Sequence, residues 1–438
     1  MKILVLSNLY PPVSPGVGEW RCQAVTEALQ LRGHEVRVLT SNFGISRGER
    51  GDQVERRLLL NGAFGQPAVT EFKALRALEI HNQQVLREAV RDFAPELFFV
   101  WSLRGLSKGL IFTLNQLRRP VVYDVADDWM ITDLRRDPWF KWWNSEKLPL
   151  TERVRRHALE LTGERVRLDE LAPTRPGAAT VRLPELFDVD PATPLKPGAL
   201  DVFPFARMYF CSEYLRRTVG EAGLRVDMAA IIRPGVATEL FFADPRPTAQ
   251  PTRRLLICTP LVRESGVLTA LAALKEVCAG GLKLQLTVCG KGASEHIAQL
   301  RSYVVEHRLP VEFVNHGPRS RDLIHCFRDA DVFLHTEEWP EPCVITPLEA
   351  MASGQAVIGS TAGGGAEIFR HRKNALAYAP GNVAELAECL RAVTLIPGLR
   401  RAIADVGQTE VIARYNEITS ADQIENFLKE SLALWQAE

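Results

Sequence analysis

The hydrophobic positions of this chain come in short unbroken runs rather than in alternation. KILVLSN (2–8), EVRVLTS (35–41), ELFFVW (96–101), PVVYDV (120–125) and MYFCS (208–212) are mostly apolar. Runs of that length read as strands buried on both faces, the habit of parallel sheets. Between the first two, a helical pattern from about Arg21 to Arg32 stops at Gly33. The first forty residues therefore predict a β-loop-α-β unit with a right-handed crossover. The alternation resumes at RLLICT (254–259), a helix through LTALAALKEV, and LKLQLTVCG (282–290). VEFVNHG (311–317), ADVFLHT (330–336) and QAVIGS (355–360) continue it.

Two stretches break the rhythm. From roughly 133 to 204 the chain runs through DPWFKWWN, the arginine-spaced TERVRRHALEL and a proline-rich tail, which reads as an excursion on the first half. DPRPTAQPTRR (244–254) reads as a linker. A length of 438 residues also favours two cores over one. The expectation is an α/β protein of two doubly wound, Rossmann-like domains, 1–243 and 254–410, facing across a cleft. A last helix within 411–438 would pack at the interdomain junction. Ligands of such sheets bind at the carboxyl ends of the strands.

Composition narrows the partners. Lys plus Arg and Asp plus Glu both number 53, so no global field draws the chain to nucleic acid or lipid. Eight cysteines stand singly with no zinc-type spacing, and Cys258 and Cys289 sit in apolar runs as small hydrophobes of a reducing compartment. The opening MKILVLSNLYPP reads as a strand and not a signal peptide, and no apolar stretch is long enough to span a bilayer. A cytoplasmic location is expected.

The chemistry concentrates in HTEEWPEPCVITPLEAMASGQAVIGSTAGGGAE. ADVFLHT is a strand, EEWPEPCVI its carboxyl-end loop, and TPLEAMASG a helix with Pro347 suited to the first turn. Glu341 then sits over the cleft and Glu349 near the helix start. A carboxylate accepts two hydrogen bonds side by side, which suits vicinal sugar hydroxyls, and a helix start offers free amides to phosphate. The plainer reading is that an acid in a first turn answers the helix dipole.

The run E-P-x-x-x-x-P-L-E-A-M-A-x-G, followed by a strand and G-G-x-x-E, resembles the signature of retaining glycosyltransferases of the GT-B fold, family 4. Here it covers Glu341 to Gly354, then Gly364 to Glu367. YPP…GVGE…RGHEVRVLTS, CSEYLRR…RPGVATELF (211–241) and LVRESGVLTALAAL (261–274) are similar to the family's other segments in the same order. The resemblance implies a sugar moved from a nucleotide-diphosphate sugar to an acceptor hydroxyl of a glycan, a lipid-linked or a small molecule. It implies retention, no metal and no cofactor, the leaving phosphate itself assisting deprotonation. By the same resemblance Glu341 contacts the transferred sugar and Glu349 the donor ribose. The amides of Val344, Ile345 and Thr346 cradle the diphosphate, and Gly16 and Gly18 let backbone approach it.

Departures from the pattern shift other roles. Pro260 and Ser265 stand where the family carries an arginine and a lysine against the diphosphate. Arg263, Lys291 beside Gly290, or Arg21 reaching across the cleft could supply that charge, and Arg263 is favoured. Val344 replaces a common glycine, and Ala126 a common histidine, which leaves Asp127 as the polar group toward the reacting hydroxyl or as a helix cap. Trp20, Arg21, Asp128 and Trp129 complete the expected acceptor side. Asp188-Val-Asp190 and the Asp124, Asp127 and Asp128 group mimic a metal motif but read as solvated carboxylates. DPWFKWWNSEK (137–147) either packs its tryptophans on the first domain, binds the acceptor, or touches a membrane surface weakly. A catalytically silent sugar-binding protein and a sugar-nucleotide epimerase are the competing functions.

Overall fold

The computed structural model describes residues 1–13, 16–45, 53–161, 187, 193, 195–196, 198–315 and 321–437. The motif Asp188-Val-Asp190 and the end of VEFVNHG lie outside the described residues. Strands β1 (Lys2–Ser7), β2 (Glu35–Ser41), β3 (Val54–Leu58), β4 (Leu97–Ser102), β5 (Val121–Val125), β6 (Arg207–Phe210) and β7 (Ala230–Ile231) form one parallel sheet, order β3-β2-β1-β4-β5-β6-β7. Strands β8 (Arg254–Cys258), β9 (Gln285–Cys289), β10 (Val311–Val314), β11 (Val332–His335), β12 (Ala356–Ser360) and β13 (Leu376–Tyr378) form a second, order β10-β9-β8-β11-β12-β13. The central strands are buried along their length, as their unbroken apolar runs require.

Helices of the first unit are α1 (Val17–Leu31), α2 (Phe72–Phe93), α3 (Gly109–Gln116), α4 (Trp129–Arg136), α5 (Pro138–Asn144), α6 (Leu150–Glu160), α7 (Glu213–Glu221) and α8 (Thr238–Phe241). The second carries α9 (Val267–Ala279), α10 (Ser294–Glu306), α11 (Arg321–Asp329), α12 (Thr346–Ala352), α13 (Gly365–Ile368), α14 (Val383–Leu395) and α15 (Leu399–Arg414). The last helix, α16 (Glu417–Ala437), crosses back. It does not stop at the junction: Ile424, Phe427 and Leu428 join the first sheet's core with Ile3, Val5 and Leu29. Arg32 pairs with Asp422 at 2.6 Å on the rim of that contact.

Where the chain crosses between units, its two passages are tied together. Val236 donates to Tyr415 O at 2.7 Å and accepts from Glu417 N at 3.1 Å. Gly235 is needed there, because a Cβ would lie 2.7 Å from Asn416 O.

Both sheets reverse direction at an interior pair, β1/β4 and β8/β11. Such switch points open a crevice at the carboxyl ends of the strands. The loops that end there follow β1, β4, β8 and β11.

The excursion resolves in part. Asp137 accepts from Phe140 N at 2.9 Å and Pro138 opens α5, which turns Trp139, Phe140, Trp142 and Trp143 inward. All four are at most 7% exposed, and Phe72 of α2 lies 4.2 Å from the Trp142 ring. This is the packing alternative for the four aromatic rings. Among the described residues no helix is long and apolar enough to cross a membrane.

Candidate active site

Glu341 lies in the loop between β11 and α12, at the switch point of the second sheet. Two glycines hold that loop. Gly364 N donates to Glu341 O at 2.8 Å. A Cβ on Gly363 would lie 2.5 Å from Glu341 O, and one on Gly364 2.7 Å from Pro342 O. Gly363 also has φ +55°, in the left-handed region that favours glycine. Gly363 and Gly364 after β12 are therefore a bed on which the Glu341 loop rests, while Gly365 packs on Ser360 O.

The loop after β8 completes the edge. Gly266, at φ +68°, packs directly on Thr336 O, and Thr336 Oγ1 donates to Ser265 O at 2.6 Å. Glu338 N donates to Glu264 O at 2.8 Å, and Thr269 Oγ1 to Glu338 Oε1 at 2.5 Å. The loop after β9 closes against the same segment: Leu261 N donates to Lys291 O at 2.8 Å, and Gly290 lies too close to Thr259 O to carry a Cβ.

This edge meets the first unit through Cys211. Its sulfur lies 3.4 Å from Pro342 O and 3.8 Å from Ala126 O. The residue after Glu341 and the residue before Asp127 thus share one neighbour, and the carboxyl ends of the two sheets face each other. Cys343 packs against the cores on both sides.

The expected site residues divide. Glu341 keeps 27% of its side chain exposed. Desolvation, reinforced by Glu337 and opposed by His335, pushes its carboxyl up to about 8. Glu349 lies in the first turn of α12, 4% exposed, close enough to Cys258 to help raise that thiol. Val344 and Ile345 point their side chains into the second core, so the Val344 branch does not narrow the cleft. Their amides and that of Thr346 have no acceptor among the described residues. Gly16 and Gly18, at the start of α1, have open space where a side chain would be. Arg263 and Lys291 are exposed, whereas Ser265 is buried and donates to Val262 O at 2.6 Å.

Two expectations on the acceptor side, Arg21 and Trp129, fail for physical reasons. Arg21 does not reach across the cleft. It is 4% exposed, bonded twice to buried Asp124, which also accepts from Tyr209 Oη at 2.6 Å, and its guanidinium stacks 4.5 Å from the Trp101 ring. Trp129 is 1% exposed and packs on Tyr123 and Phe205, so it is core. Trp20 lines a groove of about 590 Å³ with Glu417 and Ile418, between α1 and the last helix. Asp127 caps α4 through Trp129 N at 2.8 Å, the second of its two readings, while staying 42% exposed.

Four neighbours of the site were not anticipated. Arg104 binds Asp127 at 3.1 Å and Asp128 at 2.6 Å, holding both at the end of β5. Trp339, two residues before Glu341, is 42% exposed. Glu367 accepts from Tyr214 N at 2.6 Å, Glu213 N at 3.2 Å and Arg233 Nη2 at 2.7 Å, all across the junction. His335 is buried, its Nδ1 2.6 Å from Glu337 Oε2 and its Nε2 3.9 Å from Glu341 Oε2. Burial works against a charge on His335, and Glu337 beside it more than offsets that, so its pKa is raised. His335, Glu337 and Glu341 offer ligand atoms within 4.8 Å of one another, among the described residues the group suited to a metal ion. In the sequence Glu367 was visible as the last residue of the G-G-x-x-E element and Trp339 as an aromatic in the key loop, but the partners of Glu367 were not.

Residues 244–430 match the family glycosyl transferases group 1. This stretch is a group 1 glycosyltransferase domain. Its relatives include the putative glycosyltransferase YtcC of Bacillus subtilis (strain 168), 30% identical over 83 residues, 19% of this chain and 20% of that protein. Glycogen synthase of Mycobacterium tuberculosis is 32% identical over 168 residues, 37% of this chain and 39% of that protein. The chain thus spans 20% and 39% of the length of these curated relatives. Among solved structures, sucrose-phosphate synthase from Thermosynechococcus elongatus aligns over 99% of both chains with TM-score 0.66 and 18% identity. Anabaena Alr3699/HepE in complex with UDP aligns over 98% of this chain and all of that one, with TM-score 0.64 and 17% identity. The chain has the GT-B fold, and the group 1 domain carries the Glu341 loop, Glu349 and Glu367.

Proposed function

We propose that this protein transfers a sugar from a nucleotide-diphosphate sugar to an acceptor hydroxyl, with retention of anomeric configuration. The observation that carries the reading is the meeting of the Glu341 loop, at the switch point of the second sheet, with the end of β5 in the first. The donor lies on the group 1 domain and the acceptor on the first unit. Support for a nucleotide-sugar comes from the relatives: Alr3699/HepE was solved with UDP, with UDP and glucose, and with UDP-glucose.

In this reading Glu349 takes the ribose hydroxyls and the amides of Val344, Ile345 and Thr346 take the diphosphate. Glu341 holds the transferred sugar. Because its carboxyl titrates near 8, it is largely protonated at neutral pH and can donate as well as accept a hydrogen bond. The hydroxyl attacks from the face the nucleotide leaves, and the departing phosphate takes its proton. Joining of the two units excludes water from the reacting bond.

A transfer assay over nucleotide-diphosphate sugars, preceded by a thermal-shift screen of the same compounds, tests this. Turnover that falls in Glu341→Gln, and nucleotide binding that weakens more in Glu349→Ala than in Glu341→Ala, support the roles. Transfer insensitive to Glu341 refutes them. Epimer formation from the nucleotide-sugar alone would indicate an epimerase instead.

A further inference from the structure

Two thiols from opposite units meet at the junction. Cys211 follows β6 in the first unit, and Cys343 lies two residues after Glu341 in the second. The Cys211 sulfur stands 3.4 Å from Pro342 O, the carbonyl that leads into Cys343. The two thiols are hydrogen-bonded to each other. Cys211 is 2% exposed, whereas Cys343 is only partly buried. A cysteine in an apolar setting is ordinarily inert; a partner thiol across the junction sets these two apart.

Their surroundings give them different parts. Burial holds the Cys211 thiol well above its usual range, and its bond to Cys343 adds to this. The Arg21 guanidinium works in the opposite direction without overcoming burial. A thiol so placed is slow to meet an oxidant by itself, while Cys343 is open enough to be reached. Cys289 and Cys326 also touch, but both belong to the second unit, so a bond between them would tie nothing across the junction.

We propose that peroxide oxidation joins Cys211 to Cys343 in a disulfide that locks the two units together. One peroxide oxygen adds to the Cys343 sulfur, giving a sulfenic acid and releasing water. The Cys211 sulfur then attacks that sulfur, and its proton leaves with the displaced hydroxide as a second water. Two thiols are oxidised, one peroxide is reduced, and no other reactant is needed. The chain's two passages between the units lie together beside Val236 and Tyr415. The new bond adds a covalent tie at a second place, the Glu341 loop. A cleft tied there cannot open to exchange donor and product. That last clause rests on the proposed function; formation of the bond does not.

The test treats the full-length protein with hydrogen peroxide and maps its disulfides by mass spectrometry. A peptide linking Cys211 to Cys343 should form, with the protein two hydrogens lighter and no oxygen added. The melting temperature should rise by several degrees, because a cross-link over a long stretch of chain restricts the unfolded state. Transfer should fall at least about tenfold, and dithiothreitol should restore both properties. Cys211→Ser should form no linked peptide and should keep its own turnover through the same treatment. Should Cys211→Ser lose its fold, Cys343→Ser, at the more open position, carries the comparison. Absence of the Cys211–Cys343 peptide, or a link confined to Cys289 and Cys326, overturns the proposal. A linked protein that transfers as fast as the reduced one overturns the lock, as does equal inactivation of Cys211→Ser. A linked peptide with a raised melting temperature upholds it even where no transfer is found, and the proposed reaction alone then falls.

Discussion

Glu367 ends the G-G-x-x-E element, yet it points away from the Glu341 loop and into the first unit. Its carboxylate caps α7 through two amides and pairs with Arg233. Replacing it with alanine removes all three bonds. The two capping bonds together contribute about 1–2 kcal/mol, as a helix cap does. The Arg233 pair, with side chains 17% and 27% exposed, adds about 1 kcal/mol once solvent screening is allowed for. The total of about 2–3 kcal/mol weighs directly on the joined arrangement, because every partner belongs to the other unit. That corresponds to roughly a 30- to 150-fold shift toward parted units. Helix α7 itself should survive, since Ser212 also caps it, accepting from Leu215 N at 3.1 Å. Small-angle scattering of Glu367→Ala should show a larger radius of gyration, and kcat/KM for the donor should fall. High donor concentration should restore part of the compact form, because a ligand bridging the cleft favours the joined state. An unchanged scattering curve together with unchanged kinetics would refute the latch.

Four further outcomes can be measured. Desolvation, helped by Asp137 and opposed by Ser107 and Lys108, pushes buried Glu79 up to about 8, while the unfolded chain ionises near 4.3. Between those values the unfolded state holds fewer protons, so stability falls as pH rises; Glu79→Gln should gain on the unaltered protein from pH 5 to 8 in thermal melts, and parallel melting curves would count against this. Gly363→Ala puts a Cβ into the Glu341 loop at positive φ, and should cost about 1–3 kcal/mol and lower kcat; full activity at unchanged melting temperature would contradict it. Arg263→Ala should weaken nucleoside-diphosphate binding, and calorimetry showing equal affinity removes Arg263 from the site. Asp124→Asn leaves Arg21 buried without its counter-charge, and should lower stability by about 3–5 kcal/mol by denaturant titration; a change under about 1 kcal/mol would be inconsistent with that burial.

The strands that could be read were those with an unbroken apolar run. β3 escaped because VERRL looks solvated, yet Arg56 is buried and its guanidinium holds Tyr10 O and Pro11 O in the loop after β1. β7 and β13 are too short to leave a pattern. The Glu341 and Glu349 placements were legible because strand, loop and helix start are local features. Arg21 was not, since its partner lies 103 residues away and a charge beside a cleft looks the same as a charge beneath it. Trp129 failed likewise: an aromatic after a strand-end aspartate fits an acceptor platform as well as a core. The glycines were legible as glycines, but their purpose needed the carbonyls of Glu341 and Pro342 set against them.

Acid content alone therefore says little about what each acid does. Glu338 is tied to Thr269, and Glu337 to His335, so both shape the loop before any ligand arrives. Glu349 is buried at the start of α12, so in the proposed reading the donor ribose reaches it only once its neighbours shift. Glu341 alone of the four combines partial exposure with a strongly raised pKa and faces an unpartnered nitrogen. Removing Glu338 should loosen the edge formed with the loop after β8, and so act on stability before chemistry. Removing Glu341 relieves the burial of its carboxyl and its repulsion by Glu337, so the fold should lose nothing and should gain slightly. A variant that keeps or raises its melting temperature while losing turnover is the mark of a group held in place for its chemistry, since natural sites retain such strain at the expense of stability.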